Sequence, residues 1–400
     1  MAAPTAFFGA APRHQHKTWL SREDCDLAEF RALVEVPTEL ADYPHADSLD
    51  RNVLIYDATL RELLDSGADL REVQAELVDA LMDGPGIVVF KHAFTDTTVI
   101  DRATDAFNEL IDDQKARGVA GGDHFAPPGA NDRVWNALEK LAVHRPEVFA
   151  DYYANDILAL ISAAWLGPNY QMTSALNVVN PGGKAQTAHR DYHLGFMPLE
   201  TAAGFPAHVH RLSPVLTLQG AVAHCDMPVL TGPTMYLPNS QKYLPGYLAT
   251  DLPEFAEYFQ ANYVQLPLEK GDAVFFNPAL FHGAGTNNSA DVKRMANLLQ
   301  VSSAFGRALE TVDRTMVCTA IYPTLLARKQ AGAPEAELRH IIAAAAEGYP
   351  FPTNLDLDQP IGSLNPETQA ELTWRALQED WDGNTYVTAL RAQEARHRSA

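Results

Sequence analysis

Residues 268–288 read LEKGDAVFFNPALFHGAGTNN. Lys270-Gly271 is a tight-turn pair in which the glycine can take a positive φ. Ala273 to Phe276 is a short apolar run of strand-forming residues, closed by Asn277-Pro278. A histidine, His282, follows within six residues. A turn, a short strand and a second turn set the texture of the middle of the chain.

Outward from this stretch the β texture continues. Gln171–Val179, Val215–Ala223, Met235–Leu237, Tyr263–Pro267 and Met295–Ala304 are further candidate strands, rich in Val, Leu and Phe and separated by proline and glycine turns. Many short strands without intervening helices argue for a barrel or jelly roll rather than a βαβ sheet. Helices flank the block. One starts near Asp69, with Glu72 three residues on, and stops at Gly84. Gly86–Phe90 then reads as a short buried strand. A second helix takes Thr95 as N-cap and buries a stripe from Val99 to Ile111. Val134–Leu166 is helical, and Glu335–Ala346, Pro366–Glu379 and Val387–Arg398 are expected helices towards the C-terminus. The expected class is mainly β with flanking helices. The expected organisation is an irregular N-terminal extension over 1–65 with short helices, a core domain with helical support over 66–308, and a helical C-terminal extension over 309–400.

The bulk composition narrows the function. The chain has 400 residues, 46% hydrophobic and 20% charged, an ordinary globular mix. Its formal charge is −21. Such a surface repels polyanions, so no nucleic-acid partner is expected, while a local basic pocket for a small anion stays possible. Cys25, Cys225 and Cys318 form no C-x-x-C pair, which fits a reducing compartment. No signal peptide and no membrane-spanning run is apparent, so a cytoplasmic protein that does not engage a membrane, monomer or homodimer, is expected. Residues 117–133 are a glycine- and proline-rich loop carrying His124 and Phe125, either a connector or a substrate-binding segment.

The chemistry concentrates in His189-Arg190-Asp191, followed 93 residues later by His282. Alternate strand residues point to one side, so His189 and Asp191 can face an interior while Arg190 points away. Two imidazoles and one carboxylate on one face of an octahedron leave positions open, the arrangement of non-haem iron(II) oxygenases. An H-x-D pattern alone is weak, and His224-Cys225-Asp226 is a second one. That pair runs into Met227-Pro228 and the Thr231-Gly232-Pro233 turn, which reads as a strand running out into a loop. Arg294 stands at the head of the apolar run Met295 to Leu299. A 2-oxo diacid bound to iron by one end needs a cation for its far carboxylate, and a guanidinium can grip it with two parallel hydrogen bonds. The neighbouring Lys293 could do the same.

Leu268 to Pro278, followed by Phe281 to Asn287, resembles the distal-histidine segment of the phytanoyl-CoA dioxygenase family. His189-Arg190-Asp191-Tyr192-His193 resembles that family's H-x-D-x-H segment, and Gly232 to Lys242 resembles its N-G-x-x-x-x-x-P-G-S-H-K segment. Together they span roughly 165–305. The resemblance implies a double-stranded β-helix (jelly roll, cupin-like), iron(II), O2 and the conversion of 2-oxoglutarate to succinate and CO2. It carries His189, Asp191 and His282 across as metal ligands and Arg294 as the far-carboxylate clamp. By position it places Asn177 and Gln219 on strands lining the cosubstrate pocket, where each is either a 2-oxoglutarate contact or a satisfied core residue. Pro238-Asn239-Ser240-Gln241 departs from Pro-Gly-Ser-His, a change that bears on the local turn. Related halogenases lack the carboxylate ligand; Asp191 fills that position, so hydroxylation of a small organic metabolite with little halogenated product is expected. Substrate contacts are expected from the 117–133 loop, from Met197–His210 and from His193, which otherwise is a supporting or core histidine.

Two other readings remain. A non-catalytic, cupin-like metal- or ligand-binding protein would leave Arg294 idle and turn over no 2-oxoglutarate. A zinc hydrolase lacks H-E-x-x-H and a nearby general base. Gly283-Ala284-Gly285 lacks the third glycine of a dinucleotide fingerprint, and no P-loop is present.

Overall fold

Period-2 alternation decides how the sheet is used. The computed structural model describes residues 17–118, 130–191, 193–194 and 197–398; His124 and Phe125 lie outside them. Among the described residues the strands are β1 (Ser48–Asp50), β2 (Val53–Tyr56), β3 (Ile87–Phe90), β4 (Asn131–Val134), β5 (Gln171–Val179), β6 (Thr217–Ala223), β7 (Met235–Leu237), β8 (Ala273–Phe276), β9 (Phe281–Gly283) and β10 (Arg294–Ser302). An eight-stranded sheet runs β1-β2-β3-β8-β6-β10-β5-β4, and β7 and β9 form a second, two-stranded sheet. Every pairing is antiparallel except β2 with β3.

Successive side chains of a strand face opposite ways. On the large sheet one set points into a cavity: Asn177 and Val179 of β5, Gln219 and Ala221 of β6, Val274 and Phe276 of β8, and Arg294, Ala296, Leu298 and Gln300 of β10. The alternate set (Leu176, Val178, Leu218, Val222, Phe275, Leu299 and Val301) joins the main hydrophobic core with the helices. Burial of one leucine- or phenylalanine-sized side chain contributes about 1.5–3 kcal/mol, so the helical face supplies most of the cohesion. Both faces are covered, which is why the strands read as near-continuous apolar runs.

The helices form a larger share than the sequence predicts. They account for 46% of the structure, so a large, mostly antiparallel sheet with flanking helices describes it and "mainly β" does not. Val134–Leu166 resolves into Ala137–His144, Pro146–Tyr153 and Asp156–Leu166. The C-terminal set is Arg314–Gln330, Glu335–Ala345, Gln369–Gln378 and Gly383–His397. The half-buried Arg314 guanidinium bonds these helices to the sheet, donating to the carbonyls of Ala344, Ala345 and Met172. No helix among the described residues is long and apolar enough to cross a membrane.

Other differences have local causes. Among the described residues Tyr263–Pro267 makes a single isolated bridge, Val264 to Tyr236, and Pro267 has no amide hydrogen to extend it. β1 and β2 extend the large sheet where short helices alone were expected. The helix begun near Asp69 starts at Arg71, whose amide the Asp69 carboxylate accepts at 3.1 Å. The next helix starts at Thr98 with Thr97 at the N-cap instead of Thr95, and the Asp96 carboxylate accepts the Thr98 amide at 3.0 Å. Gly271 takes φ +94° in the tight turn.

Gly246 has a different reason to be glycine: an added Cβ would lie 1.9 Å from Cζ of the buried Arg190. Overpacking of this kind costs about 1–3 kcal/mol. Gly246→Ala is therefore expected to lower the unfolding free energy from a denaturant titration by that amount, while Gly67→Ala, which meets nothing within 4 Å, loses only what its φ of +67° costs.

Candidate metal centre

His189 and His282 are joined through their backbones. The His189 amide donates to the His282 carbonyl at 2.9 Å and the His282 amide to the His189 carbonyl at 3.1 Å. This antiparallel bridge places the two rings 4.4 Å apart. Each ring is oriented by its own chain: Nδ1 of His189 donates to the Thr187 carbonyl at 2.9 Å, and Nδ1 of His282 to that of Leu280 at 2.8 Å. With the proton on Nδ1, each Nε2 carries its lone pair towards Asp191. Two residues past the bridge, the Asp191 amide donates to the Pro278 carbonyl at 2.9 Å and its carbonyl accepts from the Tyr247 hydroxyl at 2.8 Å. Nε2 of His189 then lies 4.0 Å from Asp191 Oδ1, and Nε2 of His282 lies 3.6 Å from Oδ2.

The loop Pro238 to Gln241 supports the distal histidine from the other side. Ser240 Oγ donates to the Leu237 carbonyl at 2.6 Å and accepts the Phe281 amide at 2.7 Å. Asn239 adopts φ +69°, a left-handed conformation asparagine tolerates better than most residues, so it fills the place of the family's glycine. Gln241 Nε2 donates to the Gly84 carbonyl at 2.9 Å. Arg190 points away from the cluster, donating to the Ser240 carbonyl and lying over the Tyr247 and Phe281 rings at 5.3 and 5.2 Å.

The donor set suits one small divalent cation. The three ligand atoms lie within 4.8 Å of one another. Neighbouring ligands bonded at about 2.1 Å sit about 3 Å apart, so metal entry needs a contraction of at most about 2 Å. Asp191 Oδ1 is buried without a hydrogen-bond partner, while Oδ2 accepts from Gln219 Nε2 at 2.6 Å. Burial pushes this carboxyl up, but His282, His189 and the Gln219 amide outweigh burial and hold it below the ordinary carboxylate value. Gln219 thus orients the carboxylate, and it also donates to Gln300 Oε1 at 3.2 Å. Partners of this kind are worth roughly 10–100-fold in metal affinity. Gln219→Leu is expected to weaken metal binding by that factor in an isothermal titration while the fold persists.

His189, Asp191, His282, Arg294, Asn177 and Gln219 all line one cavity of about 410 Å³. It lies between the two sheets, since Tyr236 of β7 and His282 of β9 face the large sheet's residues across it. Arg294 is 6% exposed and makes no salt bridge among the described residues; its Nη1 donates to the carbonyls of Thr231 at 3.1 Å and Gly285 at 3.4 Å. Burial lowers its pKa to about 10, leaving it cationic at neutral pH. Lys293 is not part of the lining. Asn177 Oδ1 and Gln219 Oε1 are buried without partners.

Other candidates fall elsewhere. His193 bonds Thr217 Oγ1 at 3.2 Å and does not line the cavity. The described part of Met197–His210 forms the helices Leu199–Ala203 and Ala207–Leu212, packed on Leu20 and Leu248, and also stays off the cavity. His224 is buried between Thr104 Oγ1 at 2.9 Å and the Tyr152 hydroxyl at 3.1 Å, and burial lowers its pKa to about 3. The second H-x-D is therefore a core histidine. Asn131 and Arg133, at the end of the 117–133 loop, do reach the cavity, together with Trp135, Lys184, Gln300 and Glu310, none of which the sequence reading singled out. Gln300 had a signal: it is a polar residue in step with Arg294, Ala296 and Leu298 on an apolar strand.

A mostly antiparallel sheet, helices on one face and a His-Asp-His cluster in a cavity on the other define a candidate metal-dependent enzyme. The family model for phytanoyl-CoA dioxygenase (PhyH) matches residues 82–296, more than half of the chain, and the protein belongs to that family. "Dioxygenase cdmA" of Talaromyces verruculosus is 25% identical over 252 residues, covering 60% of this chain and 78% of the relative. Among solved structures, the chain is similar to the non-heme alpha ketoglutarate dependent carbocyclase SnoK from nogalamycin biosynthesis (21% identity, TM-score 0.42, 57% of this chain and 83% of that one). It is also similar to AviO1 from Streptomyces viridochromogenes Tue57 (19% identity, TM-score 0.41, 59% and 97%).

Proposed function

We propose that the protein is an Fe(II)- and 2-oxoglutarate-dependent oxygenase that hydroxylates an unactivated C–H bond of a small organic metabolite, with release of succinate and CO2. The two sheets around the cavity then form a double-stranded β-helix. The carrying observation is one cavity that joins a His-Asp-His cluster, with an unpartnered carboxylate oxygen, to a buried arginine that has no acidic partner among the described residues. Family membership supports iron, 2-oxoglutarate and O2 as the cofactors.

In this reading His189, Asp191 and His282 hold the iron, and Arg294 grips the far carboxylate of 2-oxoglutarate. A charge-assisted fork is the strongest such contact available. Asn177 contributes a polar edge on the neighbouring strand, and Gln219 holds Asp191 in its ligating orientation. When bound, iron and 2-oxoglutarate supply the oxidising chemistry with O2. The protein binds, orients and keeps bulk water from the reacting C–H bond. The cavity volume falls within the roughly 300–1,000 Å³ of small-molecule sites.

The test is an anaerobic titration of the protein with Fe(II) and then 2-oxoglutarate, followed by succinate measurement under O2 with a metabolite panel. The expected result is one Fe(II) per chain, 2-oxoglutarate binding that depends on it, and succinate formation that a panel member stimulates. Binding without any succinate would instead identify a non-catalytic ligand-binding protein.

A further inference from the structure

Among the described residues, four buried acceptor oxygens without hydrogen-bond partners line the cavity: Asn177 Oδ1, Asp191 Oδ1, Gln219 Oε1 and Glu310 Oε2. The first three sit among the residues assigned above to metal and cosubstrate. Glu310 has no part in that set. It lies beyond the segment matched by the family model, in the stretch leading from β10 to helix Arg314–Gln330.

Its position is built. Glu310 Oε1 accepts the Asn136 amide at 2.7 Å, and three residues on, the Asp313 amide donates to Glu139 Oε2 at 2.7 Å. These two bonds fasten the stretch to the start of helix Ala137–His144 and hold Oε2 in the cavity wall. Trp135, carrying the Arg133 guanidinium over its ring at 5.1 Å, and Leu309 provide apolar surface on the same wall. Burial pushes the Glu310 carboxyl up to about 7, against the pull of the Asn136 amide and Lys140, with Glu139 adding to the push. A buried acceptor left unbonded costs free energy that a ligand's donor recovers.

We propose that Glu310 is a substrate-binding residue that selects for a hydrogen-bond donor: its Oε2 accepts from an O–H or N–H of the primary substrate, whose apolar part lies along Trp135 and Leu309. The inference rests on the oxygenase reading only in that substrate shares the cavity with metal and cosubstrate. It gives the C-terminal part of the chain a role in selectivity, separate from the residues that hold the iron.

The experiment uses fragments that differ only in their polar end, titrated anaerobically by calorimetry at pH 8, where Glu310 is mostly ionised, into the full chain loaded with Fe(II) and 2-oxoglutarate: benzyl alcohol, benzylamine and benzyl methyl ether. The alcohol or the amine is expected to bind and the ether, which has no donor, is not. In Glu310→Gln, the Asn136 amide keeps the remaining carbonyl oxygen and an NH2 faces the ligand, so donor binding is expected to fall at least ~10-fold. Glu310→Leu should lose it equally. Benzylamine binding above benzyl alcohol at pH 8 identifies a cationic donor, and the reverse order a hydroxyl. Ether binding equal to that of the donors, unchanged binding in both variants, or no fragment binding to the wild type overturns the proposal. Failure of the oxygenase reading is separate, because it appears as missing Fe(II) or 2-oxoglutarate binding in the wild type before any fragment is added. A folding check accompanies the variants. A carboxyl with a raised folded pKa loses stabilisation as pH rises from its unfolded value of 4.5 towards 7, so Glu310→Gln should gain melting temperature relative to the wild type across that interval.

Discussion

Arg294→Met is expected to give a folded protein that still binds Fe(II) and no longer holds 2-oxoglutarate. Removing one partner of a buried, hydrogen-bonded charge pair costs about 2–5 kcal/mol, so the 2-oxoglutarate KM should rise roughly 30- to 4,000-fold. The stability prediction runs the other way. In the ligand-free protein the guanidinium is buried with only two carbonyl acceptors, and burial already lowers its pKa to about 10. Methionine of similar length relieves that desolvation, so the melting temperature should hold or rise. A cosubstrate-blind variant as stable as the wild type separates a binding role from a structural one. A variant that melts early while keeping its 2-oxoglutarate affinity would make Arg294 a core strut and end its assignment as the clamp.

Asp191→Ala is expected to have the largest effect on the metal. Loss of a partner that merely orients a ligand costs about 10–100-fold in affinity, so loss of the proposed carboxylate ligand should exceed roughly 100-fold. Succinate formation should disappear with it. Fe(II) titration against the wild type provides the measurement. The fold should survive, because the backbone bonds of residue 191 to Pro278 and Tyr247 do not involve its carboxylate. Unchanged Fe(II) affinity would move the metal site elsewhere.

The cluster was legible because its signal is local. His189 and Asp191 stand at strand spacing, and His282 follows a strand whose limits, Ala273–Phe276, are marked by a glycine turn and a proline. β5 and β7 were legible for the same reason, as apolar runs between turn residues. β4 was not, because Asn131-Asp132-Arg133-Val134 has one apolar residue; its pairing with β5 makes it a strand. β9 was missed because it runs straight into Gly283-Ala284-Gly285, which reads as a turn. β2 reads Val-Leu-Ile-Tyr, but it lies in an acidic segment and gains its place by pairing in parallel with β3, a contact no window of sequence contains. Gln219 was noticed by position, yet its donation to Asp191 depends on where a segment 28 residues away comes to rest. Glu310 carries no sequence signal at all, since only the fold brings it to Asn136.

The backbone bridge between His189 and His282 has a consequence for the order of assembly. The two imidazoles are held in register by bonds between peptide groups that close only after chain segments far apart in sequence have met. Such long loops are slow to close. The pocket for a cation is therefore expected to form late in folding and to persist as a mould thereafter. Chelators should strip the ion and added Fe(II) should restore it in the native state, with no refolding step between, in contrast to small metallo-domains whose chains collapse only around their metal.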